Sequence, residues 1–217
     1  MTTTTATSPA EPAVEPMRQV FLRRLDGLTD VLHGIAMRKH RDVDDHAALL
    51  WGVAVALRPE VIVEIGVRKG NSTTVLAHAA RTVGGRLFSV DIHECPLAER
   101  RVAQLGLEAE FSWEGRDAAG RFADGAIDLL FLDGDHSHAG VEADLAAWGP
   151  KIRRGGMVIA HDAERPGVAE PLRQSGWPAV FLAPGRPGLA LLQRPETDRL
   201  HAGAGADRIP DPERKEP

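Results

Sequence analysis

Short apolar runs alternate with segments of helical periodicity along most of the chain. Apolar residues recur at helical spacing over residues 17–39 and 43–59, which predicts two helices in the N-terminal part. The run "VIVEIG" follows; it is rich in β-branched residues and bounded by Pro and Gly, so it indicates a buried strand. The same pattern predicts six further strands, in "RLFSVD", "EAEFSW", "AIDLLFLD", "GGMVIAHD", "AVFLAP" and "GLALLQR".

The segments between these strands have helical character. Strands that alternate with helices in this way predict an α/β fold. We expect a Rossmann-like sheet of seven strands, mostly parallel, with helices on both faces and an N-terminal helical extension. The helical extension is predicted over residues 17–58 and the α/β domain over 59–194. The compositions of residues 1–16 and 195–217 predict two disordered tails.

Composition narrows the class of protein. The chain has 217 residues and a net charge of −5, which suits one domain and favours neither nucleic acid nor an anionic membrane as a partner. A single cysteine excludes an internal disulfide and a cysteine-type zinc site. No stretch approaches the roughly 18 apolar residues of a membrane span, and the N-terminus lacks the features of a secretory signal. These observations predict a cytoplasmic protein, and the apolar first helix allows two subunits to pair as a homodimer.

Polar residues follow four of the predicted strands at the points where the strands end. Gly66, Asp91 and Asp133 follow the first, second and fourth strands, and His161-Asp162 follows the fifth. Ligands of open α/β sheets bind at the carboxyl ends of the strands. We therefore expect these residues to surround one active cleft.

The loop after the first strand, "VEIGVRKGNST", has the composition of a ligand-binding turn. Gly66 allows a sharp turn, and Gly70 allows a ligand to approach the backbone closely. The spacing of these glycines differs from that of the nicotinamide fingerprint and of the P-loop. Asp91, at the end of the next strand, can accept both hydroxyls of a ribose.

Four segments, taken in order, resemble the successive motifs of class I S-adenosylmethionine-dependent methyltransferases. They are "EIGVRKGNST", "FSVDIH", "IDLLFLDGDHS" and "GGMVIAHD", and the resemblance covers residues 45–193. Within that class the chain is most similar to small metal-dependent O-methyltransferases of the catechol and macrolide-sugar types.

The resemblance implies that S-adenosylmethionine is the cofactor. It places the methionine part of the cofactor against Glu64, Gly66 and Gly70, its carboxylate at Ser72, its ribose at Asp91 and its adenine beside Asp117 and Ala118. For Asp117 an N-cap before the helical "AAGRF" is an equally good interpretation.

The resemblance also implies a divalent metal, with Mg²⁺ as the first choice. Its ligands would be Asp133, at the end of the fourth strand, and His161 and Asp162, at the end of the fifth. Carboxylates are the oxygen ligands that magnesium prefers. His161 departs from the family pattern, which has an oxygen donor at that place. It either shifts the preference towards manganese, iron or zinc, or supports the site without binding metal.

His136 stands three residues after Asp133, the spacing at which the relatives carry their general base. A neutral imidazole can accept a hydroxyl proton near pH 7, so we predict His136 and Asp133 as the catalytic pair. Asp135 is expected to support His136, and His138 to be solvated. Further upstream, His40, His46 and Trp51 are candidates either for substrate contact or for packing.

The predicted function is a methyl transfer from S-adenosylmethionine to a hydroxyl of a small molecule, such as a sugar or another natural-product intermediate. Two alternatives stay open. Two His and two Asp can also form the 2-His-1-carboxylate iron site of a hydroxylase-like enzyme. The second alternative is a module that binds S-adenosylmethionine without catalysis.

Overall fold

The computed structural model describes residues 25–36, 43–182 and 187–197. The α-helices are α1 (Leu28–Ala36), α2 (Ala47–Leu57), α3 (Asn71–Val83), α4 (Pro96–Gln104), α5 (His138–Trp148) and α6 (Pro166–Gln174). The strands are β1 (Val61–Ile65), β2 (Arg86–Val90), β3 (Glu110–Ser112), β4 (Ile127–Leu132), β5 (Ile152–His161), β6 (Ala179–Leu182) and β7 (Leu189–Gln193). Short 3₁₀ helices occupy Val43–His46, Gly115–Arg121 and Gly149–Lys151.

The seven strands form one sheet in the order β3-β2-β1-β4-β5-β7-β6. Strands β1 to β5 are parallel, and β7 runs antiparallel to both β5 and β6. This confirms the predicted seven-stranded, mostly parallel α/β sheet. The strand order reverses between β1 and β4, so this pair is the switch point at which such sheets bind ligands.

Helices cover both faces of the sheet, and alternate strand residues supply the two cores. Ile62 of β1 belongs to the core under α2 and α3, whereas Val63 and Ile65 belong to the core under α5 and α6. Successive side chains of a strand point to opposite faces, which explains why the central strands read as unbroken apolar runs.

The predicted extension and tails are described only in part. The first predicted helix is described as α1, within 28–36, and the second as the 3₁₀ turn and α2. The tail predicted over residues 1–16 lies outside the described residues, and of 195–217 only 195–197 are described. None of the helices that the structure describes is long and apolar enough to cross a lipid bilayer.

A buried histidine attaches the N-terminal helices to the sheet domain. The indole Nε1 of Trp51 in α2 donates to Nδ1 of His78 in α3 at 2.9 Å. The other ring nitrogen, Nε2, lies 2.6 Å from the carbonyl oxygen of Asp26, just before α1. Because a carbonyl only accepts, His78 is neutral with its proton on Nε2. Burial lowers the pKa of His78, which is consistent with this state.

Replacing the indole donor should weaken this attachment measurably. Trp51→Phe leaves Nδ1 of the buried His78 without its donor, and we expect a loss of about 1–3 kcal/mol in unfolding free energy. Urea unfolding at pH 7.5 measures it. The double variant Trp51→Phe/His78→Leu removes both polar partners and should lose less than the sum of the single variants. If the loss of unfolding free energy in the double variant equals the sum of the two single losses, Trp51 and His78 are not energetically coupled and the prediction is wrong.

Candidate active site

A cavity of about 340 Å³ lies at the carboxyl edge of the sheet, where β1, β2 and β4 end. Its lining includes two guanidinium groups, from Arg68 and Arg116, and four carboxylates, from Asp91, Asp133, Asp135 and Asp144. A larger groove of about 630 Å³ lies between α3, α4 and β2, away from these strand ends. The excess of acids makes the smaller cavity suitable for a ligand that carries positive charge.

Gly66 brings the ends of β1 and β4 into contact at the floor of this cavity. Its φ is 93°, and a Cβ atom there would lie 2.1 Å from the carbonyl oxygen of Asp133. The amide of Asp133 donates to the carbonyl of Ile65 at 2.8 Å. No residue with a side chain can therefore take the place of Gly66 without moving the strand end that carries Asp133.

Asp91 holds the cofactor loop to the end of β2. Its Oδ2 accepts from the amides of Val67, at 2.8 Å, and Arg68, at 3.2 Å, and its Oδ1 from those of Ile92, at 2.8 Å, and His93, at 3.1 Å. Burial alone would raise the pKa of Asp91, but these four donors outweigh it and lower the pKa. Asp91 is thus an ionised acceptor on the cavity wall.

Glu64 and Ser72 contact each other behind the loop and do not line the cavity. Glu64 is fully buried, and its carboxylate accepts from the hydroxyls of Ser72, at 2.5 Å, and Ser89, at 2.7 Å. Burial raises the pKa of Glu64 to about 7, against the effect of these hydroxyls. Glu64 and Ser72 thus hydrogen-bond to each other, and their expected contacts with the methionine part of a cofactor stay a prediction.

Three more residues of the predicted cofactor set also lie off the cavity lining. Gly70 caps α3 with a φ of 77°, and a Cβ there would lie 2.6 Å from that of Ala98, so its freedom serves helix packing. Asp117 is exposed within a 3₁₀ helix that Glu114 precedes as N-cap, and Ala118 is buried in the core. Only Gly66 and Asp91 of that set line the cavity.

The opposite wall of the cavity contains an ion pair that the sequence patterns did not indicate. Arg116 Nε donates to Asp144 Oδ1 at 2.8 Å, and Asp144 is buried. Burial raises the pKa of Asp144, and the guanidinium acts against this rise. The partners are 28 residues apart, on the 3₁₀ helix Gly115–Arg121 and on α5, so only the tertiary fold brings them together.

The polar cluster after β4 and β5 converges on Asp133. Its Oδ1 accepts from His136 Nε2 at 3.2 Å and from His161 Nδ1 at 3.1 Å. His136 Nε2 also lies 3.4 Å from Asp162 Oδ2. Burial would raise the pKa of Asp133, but the two imidazoles lower it. His136 therefore lies between two carboxylates.

Asp162 adopts a backbone conformation that is uncommon for a residue with a side chain. Its φ is 54°, in the left-handed region that Asp and Asn tolerate better than most residues. Arg165 lies near both sides of the cluster: Nη2 is 3.3 Å from Asp162 Oδ2, and Nη1 is 3.4 Å from His136 Nδ1. Such strain is common where a side chain must be aimed at a site.

The cluster fits a divalent cation by its donors and its spacing. Asp133, His136 and Asp162 each offer one ligand atom, and the three atoms lie within 4.8 Å of one another. Neighbouring ligands around a cation with bonds of about 2.1 Å lie roughly 3 Å apart, close to the separations here. This group contains His136; the predicted ligand His161 also places its Nδ1 3.1 Å from Asp133 Oδ1 and 4.0 Å from Asp162 Oδ2, and its role as a ligand stays a prediction.

Asp135 and His138 have structural roles. Asp135 Oδ1 accepts from the amide of Ser137 at 2.8 Å, and the hydroxyl of Ser137 caps α5 by accepting from Gly140 at 3.1 Å. His138 pairs with Glu142 at 3.3 Å on the surface. Asp135 thus supports the turn that carries His136, as expected.

His46 is the upstream candidate that reaches the cluster. Its ring centroid lies 5.9 Å from that of His161, in an edge-on arrangement. Burial, followed by the nearby His161, lowers the pKa of His46. Trp51, a second candidate, is the packing partner of His78, and the third, His40, lies outside the described residues.

Comparisons with known proteins agree with the fold. A family model for a methyltransferase domain matches residues 63–163. The uncharacterized protein y4gI of Sinorhizobium fredii is 32% identical over 124 residues, which are 50% of this chain and 14% of that protein. The chain therefore spans only a small part of that relative's length.

Several solved structures share the fold at low sequence identity. A methyltransferase from Geobacter sulfurreducens aligns with a TM-score of 0.59 and 20% identity over 85% of this chain and 99% of its own. The O-methyltransferase from Bacillus cereus, in complex with SAH, aligns with a TM-score of 0.60 and 17% identity, over 79% of this chain and 90% of its own. The O-methyltransferase TomG from Streptomyces achromogenes, in complex with SAM, aligns with a TM-score of 0.57 and 18% identity, over 79% of this chain and 89% of its own. The resemblance to class I methyltransferases is confirmed.

The buried Glu64 should make stability depend on pH. A carboxyl whose pKa is about 7 when folded and about 4.5 when unfolded keeps its proton in the native state, so stability falls as pH rises from about 4.5 to 7. Glu64→Gln does not titrate. Its stability relative to the parent should therefore rise by about 3 kcal/mol between pH 4.5 and 8.

Chemical denaturation of both proteins across this pH range measures the difference. Ser72→Ala is the matched control, because it removes one hydroxyl partner and leaves the carboxyl in place. A difference between Glu64→Gln and the parent that stays constant with pH would contradict the buried, proton-retaining carboxyl.

Proposed function

Because residues 63–163 match a methyltransferase domain and the fold is shared with methyltransferases solved with SAH or SAM, we propose that the chain is an S-adenosylmethionine-dependent O-methyltransferase. It would methylate a hydroxyl of a small molecule, such as a sugar or another natural-product intermediate, with the help of a divalent cation. One observation carries this proposal: Asp133 both lines the cavity and belongs to the Asp133-His136-Asp162 cluster. A methyl donor bound in the cavity and a proton acceptor in the cluster would thus lie on either side of Asp133.

The cavity has the features that this cofactor requires. S-Adenosylmethionine supplies an activated methyl group on a positively charged sulfonium, and four carboxylates line the cavity. Asp91 is an ionised acceptor suited to ribose hydroxyls. Ile92, 71% exposed on the same wall, offers an apolar surface for a planar base. The SAH and SAM in the Bacillus cereus and Streptomyces achromogenes proteins support the same ligand here.

The cluster can orient and deprotonate an acceptor hydroxyl. A hydroxyl is a weak nucleophile at neutral pH and needs both a base and a fixed position. When bound, a divalent cation would lower the hydroxyl's pKa and hold it in place. Each carboxylate has a second oxygen, so Asp133 and Asp162 can hold the cation while they keep His136 oriented. Two carboxylates favour Mg²⁺, and the neighbouring imidazole also suits Mn²⁺.

His136 is the proposed proton acceptor. Its Nε2 faces the two carboxylates, which only accept hydrogen bonds when ionised, so the proton of the neutral ring is on Nε2. The lone pair is then on Nδ1, with Asp133 behind the ring as the orienting group, as in a catalytic dyad. His161 supports this arrangement by donating to the same Asp133 oxygen.

Calorimetric titration with S-adenosylhomocysteine tests the cofactor assignment. We expect saturable binding by the parent protein. Asp91→Asn should weaken it by at least about tenfold, because an amide nitrogen replaces one acceptor oxygen and repels two backbone amides. Glu114→Gln, the same type of change at an exposed residue outside the cavity lining, is the control. Absence of binding by the parent would overturn the proposal, and methyl transfer to a panel of phenols and sugars would identify the acceptor class.

His136→Ala distinguishes a role of His136 as general base from a role as metal ligand. Loss of a general base typically lowers the rate 10²–10⁴-fold, whereas the affinity for Mn²⁺ should change little if the carboxylates are the main ligands. SAH formation with an acceptor from the panel and Mn²⁺ titration measure the two effects. A variant that retains the rate, or that loses Mn²⁺ binding, would contradict His136 as the base.

A further inference from the structure

Arg165 contacts both functional parts of the cluster. It stands at the N-cap of α6, three residues after Asp162, and its amide donates to the Asp162 carbonyl at 2.9 Å. Its guanidinium lies 3.3 Å from Asp162 Oδ2 through one nitrogen and 3.4 Å from His136 Nδ1 through the other. The side chain is 53% exposed, so it reaches the cluster from the solvent side.

The contact with Arg165 decides which nitrogen of the His136 ring is the hydrogen-bond acceptor. A guanidinium only donates hydrogen bonds, so the nitrogen that faces it must be the acceptor. Arg165 therefore covers the Nδ1 lone pair of His136, the atom that the proposed base needs. In the conformation described here, His136 is oriented correctly but is closed to a substrate hydroxyl.

Arg165 also places a positive charge beside the carboxylate of Asp162. Asp162 is buried, and the guanidinium offsets its negative charge. A divalent cation on Asp133 and Asp162 would lie within about 6 Å of Arg165, and at that separation the repulsion of the two positive charges is substantial. The guanidinium and the cation thus compete for the same carboxylate. Arg165 has a long, half-exposed side chain that can move into solvent without disturbing the core.

We propose that Arg165 is a positioning residue that acts as the counter-ion of Asp162 and covers His136 Nδ1, and that a divalent cation on the carboxylates competes with it and displaces it. This inference rests on the proposed function, because it takes the carboxylate pair as the cation site. It adds that the guanidinium of Arg165 balances the charge of Asp162 until a divalent cation takes its place.

Mn²⁺ titration of the full chain in the presence of S-adenosylhomocysteine, followed by electron paramagnetic resonance, tests the proposal. Arg165→Gln should bind Mn²⁺ at least about tenfold more tightly than the parent, because the competing charge is gone. Arg165→Lys keeps the charge and should stay close to the parent. Arg173→Gln is the matched control: it removes the same charge from α6, where the guanidinium lies 4.4 Å from the centre of the Phe181 ring, and should change the affinity less than about twofold.

Equal or weaker Mn²⁺ binding by Arg165→Gln would overturn the proposal, and so would the absence of Mn²⁺ binding by every variant. Thermal unfolding of each variant identifies a loss of folding. Binding of S-adenosylhomocysteine is measured on the same samples without metal. Its failure would count against the proposed function, whereas its success together with unchanged Mn²⁺ affinities would reject only the role of Arg165.

Discussion

The contact between the ends of β1 and β4 is the constraint on which the site depends. The strand order reverses between these neighbours, so their loops diverge and leave a cavity. The carbonyl of Asp133 lies where a Cβ of residue 66 would be. This contact sets the position of Asp133, and Asp133 in turn orients His136 and His161. A residue other than glycine at position 66 would therefore disturb the loop after β1 and the Asp133-His136-Asp162 cluster together.

Carboxylates are concentrated at this edge at an energetic cost that the structure offsets in different ways. Asp91 is stabilised as an anion by four backbone amides, and Asp133 by two imidazoles. Glu64, which has only hydroxyl partners, retains its proton up to about neutral pH. Since a buried charge is tolerated only when it is paired or hydrogen-bonded, the ionised acids are those with strong donors. Asp91 and Asp133 line the cavity, whereas Glu64 does not.

The sequence was sufficient to predict the strands, the sheet and the edge at which the polar residues gather. Alternating apolar patterns and strand-end acids depend on local periodicity, which can be read along the chain. The roles of single side chains were less predictable. Whether Glu64 faces a ligand or Ser89, and whether His161 or His136 presents a nitrogen between the carboxylates, depends on side-chain rotation and on partners 25 or more residues away. Arg165 was missed for the same reason: an arginine before a helix has no local signature of a contact with His136.

The N-terminal helices are part of the site and not an appendage to it. The 3₁₀ turn that ends at His46 continues directly into α2, and the ring of His46 lies against His161. The position of α2 is in turn set by Trp51, whose indole donates to the buried His78 of α3. Helix α3 begins at the cofactor loop, so one rigid element carries both the loop and the anchor of the helical extension. Any shift of α2 would move His46 relative to His161, the donor that holds Asp133. The position of His46 beside the cluster and the start of α3 behind the loop after β1 are therefore linked through Trp51 and His78.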